Sequence, residues 1–227
     1  MKYNNIFEGT FISRPNRFIA KVKTDGREET VHVKNTGRCK ELLVSGAKVF
    51  LERSDNPDRK TEYDLVSVYK GDELINIDST APNKVFGEWL ATTDLFGKIT
   101  KIKPECFYKK SRFDYYIETE NEKIFVEVKG VTLEKEGVVL FPDAPTERGV
   151  KHLRELLEAT GEGFKAYAFF IVQMKNCTYF TPNSETHKEF SDTLREVREK
   201  GVGIYALNCR VTKDTLDIDD FLEVKIN

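Results

Sequence analysis

With 227 residues, 39% of them apolar and 33% charged, the chain has enough core material (16 Phe, 9 Tyr, 1 Trp) to exclude a disordered polymer, and its length suits two modest domains. The formal net charge of −2 excludes the uniformly basic footprint of a simple nucleic-acid binder. No stretch approaches the roughly 18 to 20 uncharged apolar residues of a membrane span, and Met1-Lys2-Tyr3-Asn4-Asn5 lacks the pattern of a secretory signal, so a soluble, cytoplasmic protein without membrane contact is expected.

In chain order, the first 79 residues read as short β-branched or aromatic runs: Ile6 to Ile12, Arg17 to Lys23, Glu29 to Val33, Ala47 to Glu52, Tyr63 to Tyr69 and Glu73 to Asp78. Turn signals separate them, among them Asp25-Gly26, Ser45-Gly46 and Asn56-Pro57-Asp58. About five strands in about 80 residues suit an oligonucleotide/oligosaccharide-binding (OB) barrel, and an SH3-like barrel would read much the same. Residues 1–60 carry 13 Lys+Arg against 8 Asp+Glu, a net of +5, which makes this the better half for phosphate contacts. Here Arg14, Arg17, Lys21 and Lys23 interleave with Phe11 and Phe18 as a possible stacking surface for single strands, or simply as barrel filling.

The pattern changes at Ala81-Pro82-Asn83, giving expected domains 1–81 and 82–227, with Asn83 as the expected N-cap of a helix. Val85, Phe86, Trp89, Leu90 and Leu95 recur at helical spacing, Glu88 lies off that stripe, and Gly97 is placed to end the helix. Strands are expected over Ile99 to Phe107, Phe113 to Glu118, Lys123 to Lys129 and Val138 to Phe141. Thr146 is expected to cap a helix with Val150, Leu153, Leu156 and Leu157 on one face. A strand from Lys165 to Met174, a helix from about Glu185 to Lys200 and a strand from Val202 to Leu207 complete a mixed-sheet α/β order, and the acidic tail beyond Val211 carries no clear signal. Lys98, Lys101, Lys103, Lys109, Lys110 and Arg112 form a basic strip that suits either a polyanion path or a solvated face. The four cysteines form no CxxC pair, which argues for free thiols.

The chemistry concentrates in Ile124-Phe125-Val126-Glu127-Val128-Lys129-Gly130. Strand alternation puts Glu127 and Lys129 on one face, and a hairpin could bring Asp114 beside Glu127. Two converging carboxylates suit Mg²⁺ or Mn²⁺, because such cations take oxygen ligands and keep waters and a phosphate oxygen. The implied reaction is metal-assisted phosphodiester hydrolysis, with Lys129 orienting water or offsetting developing charge. Glu223-Val224-Lys225 repeats the tripeptide near the C-terminus and serves as a decorative control. A helix with Glu88, then strands with Asp114 and with Glu127 and Lys129, then a basic helix, is the order of the PD-(D/E)XK nuclease-like fold. Glu105 is a rival first acid.

Several strings, taken together, resemble the sugar fermentation stimulation protein A (SfsA) family along nearly the whole chain. They are Asn16-Arg17-Phe18, Asn35-Thr36-Gly37-Arg38, Ser54-Asp55-Asn56 with Arg59-Lys60, Ser111-Arg112-Phe113-Asp114, Glu127-Val128-Lys129, and Phe141-Pro142-Asp143 through Thr146-Glu147-Arg148-Gly149 to His152-Leu153-Arg154-Glu155-Leu156. The resemblance implies an N-terminal OB domain, a C-terminal nuclease-like domain, DNA binding, a role in regulating sugar-fermentation genes, and a nuclease activity. Phe113 stands where the fold's motif has Pro.

The expected catalytic set is therefore Asp114, Glu127, Lys129 and Glu88, with Asp114 and Glu127 on the metal. Arg17, Arg38, Arg112, Arg148 and His152 are the expected nucleic-acid contacts. Taken by itself, His152 reads more often as a hydrogen-bonded structural residue, Asp143 and Thr146 read as turn and cap, and residues 35–38 read equally as a tight turn or a phosphate loop. Two other functions stay open: a DNA-binding regulator without turnover, and a carbohydrate-handling enzyme for which only the family's name speaks. Oligomeric state is left open.

Overall fold

The computed structural model describes residues 1–35 and 37–226. Strands β1 (Ile6–Asn16), β2 (Ile19–Thr24), β3 (Arg27–Val33), β4 (Lys48–Arg53), β5 (Tyr63–Lys70) and β6 (Glu73–Asn76) form one sheet in the order β3-β2-β1-β4-β5-β6. A parallel pairing of β3 with β5, through His32 to Asp64 and Val33 to Leu65, closes five of them into an OB-like barrel, with β6 alongside β5. Asp25 and Gly26 take φ of 48° and 77°, the left-handed pair that a two-residue hairpin between β2 and β3 requires. Val22, Val31, Val49, Leu51, Leu65 and Val68 fill the interior.

Helix α1 (Ala81–Leu90) follows, then β7 (Ile99–Tyr108), β8 (Ser111–Thr119), β9 (Lys123–Val131), β10 (Leu133–Lys135), β11 (Val138–Phe141), α2 (Glu147–Gly161), β12 (Lys165–Val172), β13 (Tyr179–Pro182), α3 (Lys188–Glu199), β14 (Gly203–Val211) and β15 (Leu216–Val224). The nine strands make one mixed sheet, ordered β10-β11-β13-β15-β14-β12-β9-β8-β7. Helix α1 packs on β9 and β15, while α2 packs on β9, β12 and α3. Strands β9 and β12 lie in the middle of this layered arrangement and are apolar along most of their length for that reason. No helix among the described residues is long and apolar enough to cross a membrane.

Three expectations about elements change. Helix α1 starts at Ala81 with Thr80 as N-cap, because Pro82 fits the first turn, where its missing N–H costs nothing. It also stops at Leu90 rather than running to Gly97. The Thr92 hydroxyl takes the Trp89 carbonyl at 3.0 Å, an alternative partner that competes with helix continuation. The acidic tail holds β15, antiparallel to β14 with an irregularity between Asn208 and Cys209.

A polar seam joins the two sheets. Gln173 Nε2 donates to Asn76 Oδ1 at 2.8 Å and to the Asp78 carbonyl at 3.1 Å, and Asn76 Nδ2 donates to Tyr3 Oη at 2.9 Å. Asp78 is fully buried and has Lys34 Nζ at 3.2 Å.

Candidate metal centre and basic groove

The site forms where two strands part. β8 and β9 stay in register from Glu118 opposite Lys123 to Tyr115 opposite Val126. One step further the side chain of Asp114 replaces the ladder: its Oδ2 accepts the Val128 N–H at 2.7 Å, and its Oδ1 accepts Asn83 Nδ2 at 2.8 Å. Asn83 is held in turn, because Tyr115 Oη donates to its carbonyl at 2.6 Å. Gly87, one turn along α1, makes room for that hydroxyl, since a Cβ there would lie 2.6 Å from it. Asn83, read from the sequence as a cap, is a support for Asp114. Its place on the same helical face as Gly87 is the signal that would have found it.

Glu127 is 3% exposed. Its Oε1 accepts from His152 Nδ1 at 2.5 Å and from Lys129 Nζ. The other oxygen, Oε2, is buried with no hydrogen-bond partner among the described residues. An unpaired buried carboxylate oxygen beside a second carboxylate is an expensive arrangement without a cation. Asp114 and Glu127 thus fit a hard divalent ion that draws its remaining ligands from water and phosphate.

The two acids are pushed in opposite directions. Burial raises the Asp114 carboxyl above its ordinary value, and the Glu127 charge raises it further, against the Val128 N–H and Lys129. Burial alone would also raise Glu127, but His152 and Lys129 together outweigh it and hold that carboxyl below its ordinary value.

His152 is 4% exposed and stands edge-on to Phe113, with ring centroids 6.1 Å apart. Arg148 Nε, one turn earlier on α2, donates to His152 Nε2 at 3.3 Å. With Nε2 accepting, Nδ1 carries the proton and donates to Glu127. His152 therefore holds the Glu127 carboxylate from a buried position, as the structural reading of this residue expects. Thr146 Oγ1 accepts from Gly149 N at 3.1 Å, the cap that starts α2 and aims Arg148 and His152.

Gly130 closes the strand end. A Cβ there would lie 2.6 Å from Pro82 Cγ and 2.7 Å from Gln173 Oε1, so Gly130→Ala is expected to cost about 1–3 kcal/mol. Thermal melting checks this, and a melting temperature equal to wild type would contradict the close packing of α1 against β9.

The remaining expected residues are not all at the site. Glu88 is exposed and pairs with the Met1 amino group at 2.7 Å, so α1 turns it away from the carboxylate pair. Glu105 is also exposed, with its carboxylate 3.3 Å from Arg112. Arg112 and Arg148 line an open groove of about 900 Å³ between the β7–β8 hairpin and α2. Arg17 and Arg38 are exposed on the barrel, where Arg17 lies over the Phe18 ring at 4.7 Å. Thr36, part of the quoted 35–38 string, lies outside the described residues. Arg14 and Phe11 leave the expected stacking surface: Arg14 donates to the carbonyls of Gly37, Arg38, Arg17 and Asn35 at 2.7–2.9 Å, and Phe11 is core. Much of the basic strip is neutralised too, by Lys98 with Glu120, Lys101 with Glu118, and Lys109 with Glu158 and Glu162.

The control tripeptide behaves as a surface pair: Lys225 and Glu223 are 3.3 Å apart with side chains 44% and 63% exposed. A second cluster of ligand-type side chains, Glu147, His187 and Glu189, has its atoms within 4.8 Å. Both glutamates are exposed, and Glu189 is paired with Arg154 at 2.8 Å.

Residues 80–215 match the sugar fermentation stimulation protein RE domain and residues 12–77 the SfsA N-terminal OB domain. A sugar fermentation stimulation protein homolog from Clostridium beijerinckii is 58% identical over 224 residues, 99% of each chain. One from Desulfitobacterium hafniense is 59% identical over 226 residues, 100% of this chain and 99% of the relative. The structure of Pyrococcus furiosus SfsA in complex with Ca²⁺ superposes with a TM-score of 0.90 at 29% identity, covering 100% of this chain and 98% of that one.

Proposed function

Since this chain belongs to the sugar fermentation stimulation protein family, we propose that it is a metal-dependent nuclease whose OB-like part, residues 1–81, holds nucleic acid and whose nuclease-like part, residues 82–227, cuts it. The buried Oε2 of Glu127, which has no hydrogen-bond partner among the described residues, carries this reading. Asp114 and Glu127 would hold Mg²⁺ or Mn²⁺, and the Ca²⁺ complex of the P. furiosus relative supports a hard-cation site in this architecture. When bound, such an ion polarises a phosphodiester and acidifies a coordinated water.

The chain's own groups do the rest. His152 Nδ1–H and Lys129 Nζ both hold Glu127 Oε1, which leaves Oε2 and its charge for the cation. Asn83 and the Val128 N–H orient Asp114 in the same way. Lys129 stays 21% exposed, so its ammonium remains able to meet charge that develops on a phosphate. Arg112 and Arg148 in the groove suit the flanking phosphates.

DNA is the proposed substrate, and the test is cleavage of labelled single-stranded DNA, duplex DNA and RNA with Mg²⁺, with Mn²⁺ or with EDTA. Cleavage by wild type that needs the metal and vanishes in Glu127→Gln is the expected result. Uncut substrates with salt-sensitive binding in both proteins would leave a DNA-binding regulator instead. For Arg148→Ala, the slope of log affinity against log salt should become shallower by about one unit for a lost phosphate contact. An unchanged slope would remove Arg148 from the interface.

A further inference from the structure

Strands β7 and β8 turn on Lys109 and Lys110, with Tyr108 paired to Ser111. The tip is tied down. Lys109 Nζ lies 2.5 Å from Glu158 and 2.7 Å from Glu162, and Tyr108 is buried against Phe113 and Phe125. Strand alternation then turns Phe107 outward, and it is 71% exposed, more than any other large apolar side chain among the described residues. A ring fixed in water at the lip of a groove offers an open aromatic face on which a flat ligand can stack.

The surroundings say what covers it. Phe107 shares the groove with Lys110, Arg112, Arg148, Lys151 and Glu155. The cores of protein interfaces are depleted of charge, whereas an aromatic among cations is how proteins hold unpaired nucleic-acid strands. Glu155 adds a hydrogen-bond acceptor: its Oε1 is 3.7 Å from Lys151, and its buried Oε2 has no hydrogen-bond partner among the described residues. His152 also lines the groove and its Nδ1 donates to Glu127, so one buried ring links the groove to the carboxylate pair.

We propose that this groove is a subsite for an unpaired nucleobase, stacked on Phe107 with a base N–H donating to Glu155, while Arg112 and Arg148 take its phosphates. This rests on the nucleic-acid reading above and narrows it to strands with an accessible base: single strands, flaps or frayed ends. A base inside an intact duplex has both faces stacked and cannot use Phe107.

Oligonucleotides carrying 2-aminopurine, as single strands and as duplexes, test this in EDTA, where no cutting occurs, with wild type, Phe107→Ala and Phe107→Tyr. The expected result is quenching of 2-aminopurine fluorescence in the wild-type single-strand complex and about tenfold or greater preference for single strand over duplex. In Phe107→Ala both the quench and the preference should be lost, and Phe107→Tyr should restore them. Salt-sensitive binding with the same quench and preference in Phe107→Ala would overturn the subsite and leave the nuclease reading standing. No binding of any oligonucleotide by wild type at low salt would overturn both.

Discussion

Mg²⁺ or Mn²⁺ at a hundredfold excess over its dissociation constant should raise the melting temperature of the wild-type chain by about 5–10 °C. Such an excess stabilises by about 2.7 kcal/mol, and a chain of this size gains about 2–4 °C per kcal/mol. Neither Asp114→Asn nor Glu127→Gln should respond, because each removes one of the two charges that make the site. An equal rise in all three proteins would place the cation elsewhere.

The increment depends on pH with a definite sign. Asp114 has its folded value raised above the ordinary 3.8, so in the cation-free protein its contribution to stability is complete below that value and is lost as pH rises through the raised one. A bound cation needs the ionised form, so its increment grows over the same window. Glu127, held below its ordinary 4.5, has the opposite sign: its own contribution is complete above that value and disappears as pH falls through the lowered one. Melting curves across the acid range with and without Mg²⁺ should therefore diverge as pH increases. Parallel curves would mean that Asp114 does not bind the ion.

Lys129→Ala should lower the rate of cleavage by about 10²–10³-fold, the usual cost of removing one group that stabilises developing charge, while oligonucleotide affinity stays within a few-fold. The substitution also takes a cation away from buried Glu127, whose carboxyl then moves up because His152 alone opposes burial. Residual activity should accordingly shift to higher pH. Lys129→Arg should not rescue the rate, since a planar guanidinium does not reproduce the compact ammonium on Glu127 Oε1. Single-turnover kinetics over a pH series decide this. A Lys129→Ala enzyme with the wild-type rate and profile would reduce Lys129 to an ion-pair partner.

What the sequence made legible was mostly what alternation and turn chemistry dictate. The two-residue hairpin at Asp25-Gly26, the near-continuous apolar run of β12 and the shared face of Glu127 and Lys129 all follow from local rules. The juxtaposition of Asp114 and Glu127 came from hairpin logic, yet the way it is achieved was not local: Asp114 accepts the N–H that the β8–β9 ladder gives up, and Asn83 arrives from α1. Glu88 looked available because it lies off the apolar stripe. The pairing that removes it depends on Met1, which the chain brings next to β15 through hydrogen bonds to Leu216. Strand β15 itself was hidden because acids at Asp217, Asp219 and Asp220 dilute its apolar positions and an irregularity breaks the period of two. Arg14 misled for a different reason: its charge is spent on backbone carbonyls, which no composition count reveals.

The identical tripeptides give the clearest lesson. Glu127-Val128-Lys129 and Glu223-Val224-Lys225 have the same residues and spacing, yet Glu127 is 3% exposed beneath α2 and the Glu223 side chain is 63% exposed at the rim. Burial leaves Glu127 Oε2 without a hydrogen-bond partner among the described residues, while His152 and Lys129 hold the carboxyl below its ordinary value against that burial; His152, edge-on to Phe113, comes from the helix above it.

The most direct measurement is calorimetric titration of Mn²⁺ into wild type, Asp114→Asn and His187→Ala. The account predicts that Asp114→Asn abolishes binding and that His187→Ala leaves it intact. Loss of binding in His187→Ala with normal binding in Asp114→Asn would move the metal to Glu147, His187 and Glu189 and contradict the site described at Asp114 and Glu127.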